Sequence, residues 1–214
     1  MFFFPLFDDN PSRRTPYISW LIMALCVLVF VWQQSLGPQG EQYAFYSYGF
    51  VPAHVSGAAP LPAQLVVLPA WATAISSMFL HGGLMHIGGN MLYLWIFGDN
   101  IEDSMGPLKF IIFYILCCMA AAAAQFAIDP ASRIPMVGAS GGIAGILGLI
   151  LSCIQRRQSG RYWSFWSSSG LSICPHGLYL ASGLAASLSL YQTRWPMMVA
   201  VLPISHILVA LLPA

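Results

Sequence analysis

The chain has 214 residues, of which 58% are hydrophobic and only 7% are charged, and its mean hydropathy is +0.72. This composition excludes a soluble globular protein and is typical of an integral membrane protein embedded in a lipid bilayer. The net charge of +1, without a basic patch interleaved with aromatic residues, excludes nucleic acid as a partner.

The first predicted helix runs from Tyr17 to about Leu36, an apolar stretch that is long enough to span a bilayer. Arg13 and Arg14 precede it, so the positive-inside rule places the amino terminus in the cytoplasm. The following residues, 37 to 70, contain several prolines and cannot form one spanning helix. Their aromatic side chains suit the bilayer interface on the far side, although an ordinary solvent loop fits as well.

A histidine-rich run opens the second apolar segment, which extends from Trp71 to Asn100. His86 and Asn90 are four residues apart and therefore share a helix face, while His81 lies nearer the helix end. Histidine and asparagine are costly inside a membrane, so these side chains are expected to face the bundle interior and pair with other groups. Interhelical hydrogen bonding without any chemistry is the alternative interpretation.

No metal or cofactor is expected. The histidine-rich run contains no carboxylate, and asparagine is a poor metal ligand beside two histidines. The five cysteines form no C-x-x-C pair, so neither a zinc site nor a disulfide framework is predicted.

Two further helices complete the part of the chain that reads clearly as membrane-spanning. The acidic stretch around Glu102 ends the second helix, and Pro107 suits the first position of a third helix that runs to about Phe126. After a loop over residues 129 to 135, a fourth helix starts near Ser140 and descends to three arginines that belong in the cytoplasm, namely Arg156, Arg157 and Arg161. This topology puts Ser140, His86 and Asn90 in the same non-cytoplasmic half of the bilayer.

The fourth helix begins with a serine packed among glycines, in the run from Gly138 to Gly142. A serine hydroxyl is a nucleophile only if a base removes its proton and donors stabilise the oxyanion. Glycines such as Gly138 and Gly141 allow groups on other helices to come close, and a helix amino terminus supplies unpaired N–H groups. A helix cap followed by small-residue packing would give the same pattern, but in this context we interpret Ser140 as a nucleophile.

From the amino terminus to about residue 152 the chain resembles the rhomboid intramembrane serine proteases. The resemblance rests on three runs in the family's order and spacing, which are His-x4-His-x3-Asn at His81, His86 and Asn90, Gly-x3-Glu-x3-Gly at Gly98, Glu102 and Gly106, and Gly-x-Ser-Gly from Gly138 to Gly141. It implies an all-α bundle of six membrane helices, of which four are recognised here. It also implies that Ser140 is the nucleophile, that His86 and Asn90 bind the oxyanion, and that Gly98, Glu102 and Gly106 are structural.

The chain departs from the family pattern after about residue 153. The general base of the family is a histidine on the sixth helix, within an Ala-His-x2-Gly-x3-Gly run that is missing here. The candidates for this base are His206, which is not followed by glycines, and His176, which lies in a polar region. Residues 153 to 214 are therefore treated as an aberrant carboxy-terminal part in place of the last two family helices.

A frameshift is our hypothesis for this part. When the codons are read one base out of phase, Ile204 to Ala214 can become FAHIGGFVAG, and the stretches near Cys153 and Pro175 also become family-like. Genomic DNA around codons 148 to 154 tests the hypothesis, because the absence of a one-base insertion or deletion relative to close relatives would refute it.

Two functions compete at this point. One is an intramembrane serine endopeptidase that cleaves the transmembrane segments of other membrane proteins without a cofactor. The other is a catalytically inactive rhomboid-like protein that binds transmembrane helices, since the base histidine is not found.

Overall fold

The computed structural model describes residues 14–158, with side chains described as far as residue 150. The regular elements in this part are helical, which confirms the predicted all-α class. They are α1 (Tyr17–Ser35), α2 (Gly37–Tyr48), α3 (Pro52–Val55), a 3₁₀ turn (Ala63–Leu65), α4 (Thr73–Ser76), a second 3₁₀ turn (Ser77–Phe79), α5 (Leu84–Met105), α6 (Pro107–Ile128) and α7 (Ser140–Gln158). Residues 159–214, which form most of the predicted aberrant part and include Arg161, His176 and His206, lie outside the described residues, as does Arg13.

Four long helices, α1, α5, α6 and α7, correspond to the four predicted membrane helices. By length and composition, α1 and α6 are apolar enough to cross a bilayer, with hydropathy values of 1.8 and 2.2. The shorter helices α2 and α3 lie within residues 37–70, where a single spanning helix was excluded, and α4 lies between that region and α5. Their backbone lies against the loop before α7, because Phe50 and Met136 exchange two hydrogen bonds of 3.0 and 2.8 Å.

His81 does not lie on the second membrane helix as the sequence suggested. The α5 helix begins at Leu84, and His81 belongs to the preceding turn. Gly82 and Gly83 separate the two, and Gly83 takes a backbone conformation with φ of 145° that interrupts the helix. A continuous helix would fix the angle between the His81 and His86 side chains around the helix axis. Because the helix is interrupted, this angle is not fixed in that way.

The opposite end of α5 holds the amino terminus of α1. Pro16 precedes α1 and provides no side-chain cap, but the Glu102 carboxylate accepts hydrogen bonds from the Ile18 N–H at 2.9 Å and from the Ser19 N–H and hydroxyl, both at 2.8 Å. A carboxylate is favoured there because the helix amino terminus carries partial positive charge and unpaired N–H groups. Close approach needs Gly98, where a Cβ would lie 3.0 Å from the Ser19 Oγ.

Replacing Glu102 with alanine is expected to lower the free energy of unfolding by about 1–3 kcal/mol, because buried N–H donors of α1 lose their acceptor. Thermal unfolding in detergent micelles measures the change. The matched control is Glu41→Ala, since the Glu41 carboxylate accepts an exposed hydrogen bond from Gln34, and this change should stay within about 0.5 kcal/mol. Equal effects of the two substitutions would contradict the capping role of Glu102.

The glycines at the start of α7 pack against α6. A Cβ on Gly141 would lie 2.8 Å from the Ala121 Cβ, one on Gly142 would overlap the Tyr114 ring, and one on Gly145 would overlap the Cys117 Sγ. These glycines therefore bring α6 and α7 together. The sequence predicts that glycines such as Gly141 let groups on other helices come close, and within the described residues the helix that comes close is α6.

Candidate active site

Ser140 is the first residue of α7, at the end of a tightly held loop. Two residues earlier, Gly138 has a φ of 116°, which is strained for any residue with a side chain. Its N–H donates a hydrogen bond of 2.8 Å to the carbonyl oxygen of Ser77. The turn before α5 and the backbone leading into Ser140 are thus joined directly.

The predicted pair on α5 meets this loop at Gly138. A Cβ built on Gly138 would lie 2.7 Å from the Nε2 atom of His86 and 3.4 Å from the Nδ2 atom of Asn90. Only glycine leaves enough space for both side chains to approach the backbone here. The structure therefore brings His86 and Asn90, which are one turn apart on α5, to the chain two residues before Ser140.

The hydrogen bonding of His86 assigns the position of its ring proton. The Gly82 N–H donates to His86 Nδ1 at 3.2 Å, so Nδ1 acts as the acceptor and carries no proton. The proton of the neutral ring is then on Nε2, the atom that lies against Gly138. His86 thus presents an N–H donor toward the start of α7.

Asn90 offers a second donor in the same place. Its side chain is only 8% exposed, and its Nδ2 atom has no hydrogen-bond partner among the described residues. A buried amide N–H that has no partner among the described residues is available to donate to another group, and an oxyanion at the start of α7 would accept it.

The third predicted polar residue of this run, His81, is fully buried and does not reach Gly138 by any described contact. Its Nδ1 donates to the carbonyl oxygen of Phe79 at 3.1 Å. Its ring stands edge-on to the His86 ring, with a centroid distance of 5.2 Å. His81 is therefore a packing and orienting neighbour of His86.

Sequence reasoning missed one polar residue that contacts this region, which is Gln33 on α1. It is fully buried, and its side chain hydrogen-bonds to the backbone of His81. The signal in the sequence is a polar residue on the buried stripe of α1, seven positions after Cys26 and therefore two turns along the same face.

The described polar side chains next to the start of α7 are hydrogen-bond donors, and none of them is acidic. The His86 ring and the Asn90 amide lie beside the backbone that leads into Ser140, and the amino terminus of α7 carries partial positive charge. Such a set suits a negative charge that develops on an oxygen atom. Gly98, Glu102 and Gly106 lie at the other end of α5, away from this set. Within residues 14–158, no group of three or more His, Cys, Asp or Glu side chains is placed to hold a metal ion.

Comparison with known proteins gives a family match over a range that contains α4 to α7. Residues 69–192, more than half of the chain, match the Rhomboid domain family model. The chain is 26% identical over 136 residues to the rhomboid protease GluP of Bacillus subtilis, a match that covers 64% of the chain and 24% of GluP. It is 28% identical over 116 residues to the rhomboid protease GlpG of Klebsiella pneumoniae, which covers 54% of the chain and 37% of GlpG.

A third relative comes from a plant. The RHOMBOID-like protein 5 of Arabidopsis thaliana is 32% identical over 78 residues, which covers 36% of the chain and 25% of that protein. The chain thus spans between about a quarter and somewhat over a third of the length of these relatives. The family match, together with the helical bundle and the serine at the start of α7, shows that the chain belongs to the rhomboid family.

Proposed function

We propose that the site at the start of α7 is that of an intramembrane serine endopeptidase that cleaves transmembrane segments of other membrane proteins. The observation that carries the proposal is the convergence of the His86 and Asn90 donors on Gly138, two residues before Ser140. The names of the relatives GluP and GlpG as rhomboid proteases support the same reaction.

In the proposed reaction, the Ser140 Oγ attacks the carbonyl carbon of a peptide bond while a general base takes its proton. The carbonyl oxygen becomes an oxyanion that accepts hydrogen bonds from His86 Nε2–H, Asn90 Nδ2–H and the backbone at the start of α7. The proton then passes to the leaving amine, and the C–N bond breaks. Water hydrolyses the resulting acyl-enzyme and regenerates the Ser140 hydroxyl.

By the resemblance to the family, the base comes from the part of the chain after residue 158. Ser140 lies roughly 100° and 140° around the helix from Gly141 and Gly145, the residues that face α6. A helix that brings a histidine to the Ser140 side chain therefore approaches from the side away from α6. His206 is our candidate for this base in the chain as written, with His176 as the second candidate.

The second candidate function is that of an inactive rhomboid-like protein that binds transmembrane helices. The Ala-His-x2-Gly-x3-Gly run of the family is missing from the sequence, and this observation favours inactivity. Both functions use the same membrane bundle and the same kind of partner, a transmembrane helix, so the base alone distinguishes them. Labelling of Ser140 by a fluorophosphonate, which requires an activated serine, decides between the two.

Replacing Asn90 with alanine in an active form of the protein is expected to lower the cleavage rate by roughly 10²-fold, the effect of removing one oxyanion donor. Cleavage of a model transmembrane substrate in vesicles measures it. The matched control is Asn100→Ala, because Asn100 is on the same helix but hydrogen-bonds to the carbonyl oxygen of Ile96 at 3.3 Å. Asn90→Ala activity equal to that of the control would contradict the donor role.

We also propose a multi-pass topology with the amino terminus in the cytoplasm. In a background without native cysteines, a cysteine at position 133 should react with an impermeant thiol reagent from outside, and one at position 158 only from inside. The expectation rests on Arg13 and Arg14 and on Arg156 and Arg157, which are placed on one side by the positive-inside rule. The reverse labelling pattern would refute the proposed membrane placement of the site.

A further inference from the structure

A buried glutamine of α1 holds the turn over residues 77–83, which precedes α5 and carries His81. The Gln33 Nε2 donates to the carbonyl oxygen of His81 at 3.3 Å, and the Gln33 Oε1 accepts from the His81 N–H at 3.1 Å. Both residues are fully buried. One side-chain amide thus satisfies both polar groups of the His81 backbone, which fixes the distance and the direction of the turn relative to α1.

The same turn contacts both His86 and the backbone that leads into Ser140. On one side, the His81 ring packs edge-on against His86 at 5.2 Å, and the next residue, Gly82, donates its N–H to His86 Nδ1 at 3.2 Å. On the other side, the Ser77 carbonyl oxygen accepts the Gly138 N–H at 2.8 Å. A shift of this turn would therefore move the His86 donor and the backbone before Ser140.

A second contact from α1 reaches the same turn but is weaker. The Cys26 Sγ lies 3.9 Å from the carbonyl oxygen of Met78, two helical turns before Gln33 on the same buried stripe. Because a thiol is a weak donor, the paired hydrogen bonds of Gln33 are the main polar connection between α1 and the turn.

We propose that Gln33 is a positioning residue for the oxyanion donor His86. By clamping the His81 backbone to α1, it holds Gly82 where its N–H keeps His86 Nδ1 occupied and the Nε2 proton directed at Gly138. The inference rests on the proposed function for its catalytic meaning. The clamp itself consists of two hydrogen bonds that do not depend on catalytic activity.

The first test needs no substitution. In the full chain in detergent micelles, NMR measures the exchange of the side-chain amide protons of Gln33 and of its neighbour Gln34 with solvent. Gln34 is the matched reference, because its amide donates to Glu41 at 3.1 Å on the exposed surface. The Gln33 protons are expected to exchange at least on the order of tenfold more slowly, as buried hydrogen-bonded groups do. Equal exchange rates would overturn the clamp.

The second test replaces each glutamine with methionine, which has a similar length but cannot form these bonds. Histidine ¹⁵N NMR reports the tautomer of His86. Gln34→Met should leave a single Nε2–H tautomer, whereas Gln33→Met should give a mixture of tautomers. An unchanged His86 spectrum in a folded Gln33→Met protein would overturn the proposal.

The third test measures catalysis, in the form of the protein, as written or frame-restored, that reacts at Ser140. Gln33→Met is expected to lower the maximal rate of fluorophosphonate reaction per folded molecule on the order of tenfold or more, with little change in the half-saturating concentration. If Gln33 were merely structural, the melting temperature would fall while this rate stayed the same, which would overturn positioning. Absence of reaction in every form would count against the proposed function, and the NMR tests would still decide on the clamp.

Discussion

The 214-residue chain as written is expected to react with a fluorophosphonate at Ser140 on the order of 10⁶-fold more slowly than a protein in which the reading frame after about residue 153 is restored. In subtilisin, loss of the histidine costs about that much in rate, because an unassisted serine hydroxyl is a weak nucleophile at neutral pH. The donors His86 and Asn90 remain in both proteins, so the comparison isolates the base. Time-dependent labelling measured by intact mass gives the two rates.

The control for this comparison is that the helical bundle folds in both proteins. Both proteins contain the same residues 14–150, so helix content and the Glu102 cap of α1 should be retained in both. Comparable labelling rates in the two proteins would mean that His206 or His176 serves as the base. Additional His206→Ala and His176→Ala variants of the chain as written would then identify it.

Replacing Ser140 with alanine in the frame-restored protein is expected to abolish cleavage of a transmembrane substrate, because the reaction has no other nucleophile. Folding should be preserved, since alanine fits at the first position of α7 and removes only one hydroxyl. Substrate cleavage in vesicles and thermal unfolding measure the two properties. The matched control is Ser35→Ala, because the exposed Ser35 hydroxyl only bonds back to the Trp32 carbonyl oxygen within the last turn of α1.

Full activity of the Ser140→Ala protein would refute the proteolytic role of Ser140. Loss of activity in the Ser35→Ala control would instead point to a general sensitivity of the bundle to serine substitutions.

The helices of the described part could be predicted because their boundaries have local causes. The first and third helices were predicted to end near Leu36 and Phe126 and end at Ser35 and Ile128, and Pro107 begins α6 as expected. Apolar runs and proline at the first helical position act within a few residues, so a sequence reveals them.

The start of the second membrane helix was harder to predict, because glycines are tolerated in membrane helices. The sequence alone does not tell whether Gly82 and Gly83 continue a helix or interrupt it. In the structure they interrupt it, which places His81 in a turn that is held by Gln33.

Hydrogen-bond partners that are far apart in the sequence could not be predicted. Glu102 caps a helix that lies more than eighty positions earlier, and Gln33 pairs with the backbone of a residue 48 positions later. Backbone acceptors and donors carry no sequence signature. The direction of the α7 glycines toward α6 was also open, since any helix with small residues can pack there.

Peptide mapping of the phosphonylated, frame-restored protein determines whether Ser140 is the nucleophile of this site. Tandem mass spectrometry after complete labelling locates the modified residue. The proposed site predicts one adduct, on Ser140, and a rate of adduct formation that falls when Asn90 is replaced with alanine. An adduct on another serine, or unmodified Ser140 in a protein that still cleaves its substrate, would contradict it.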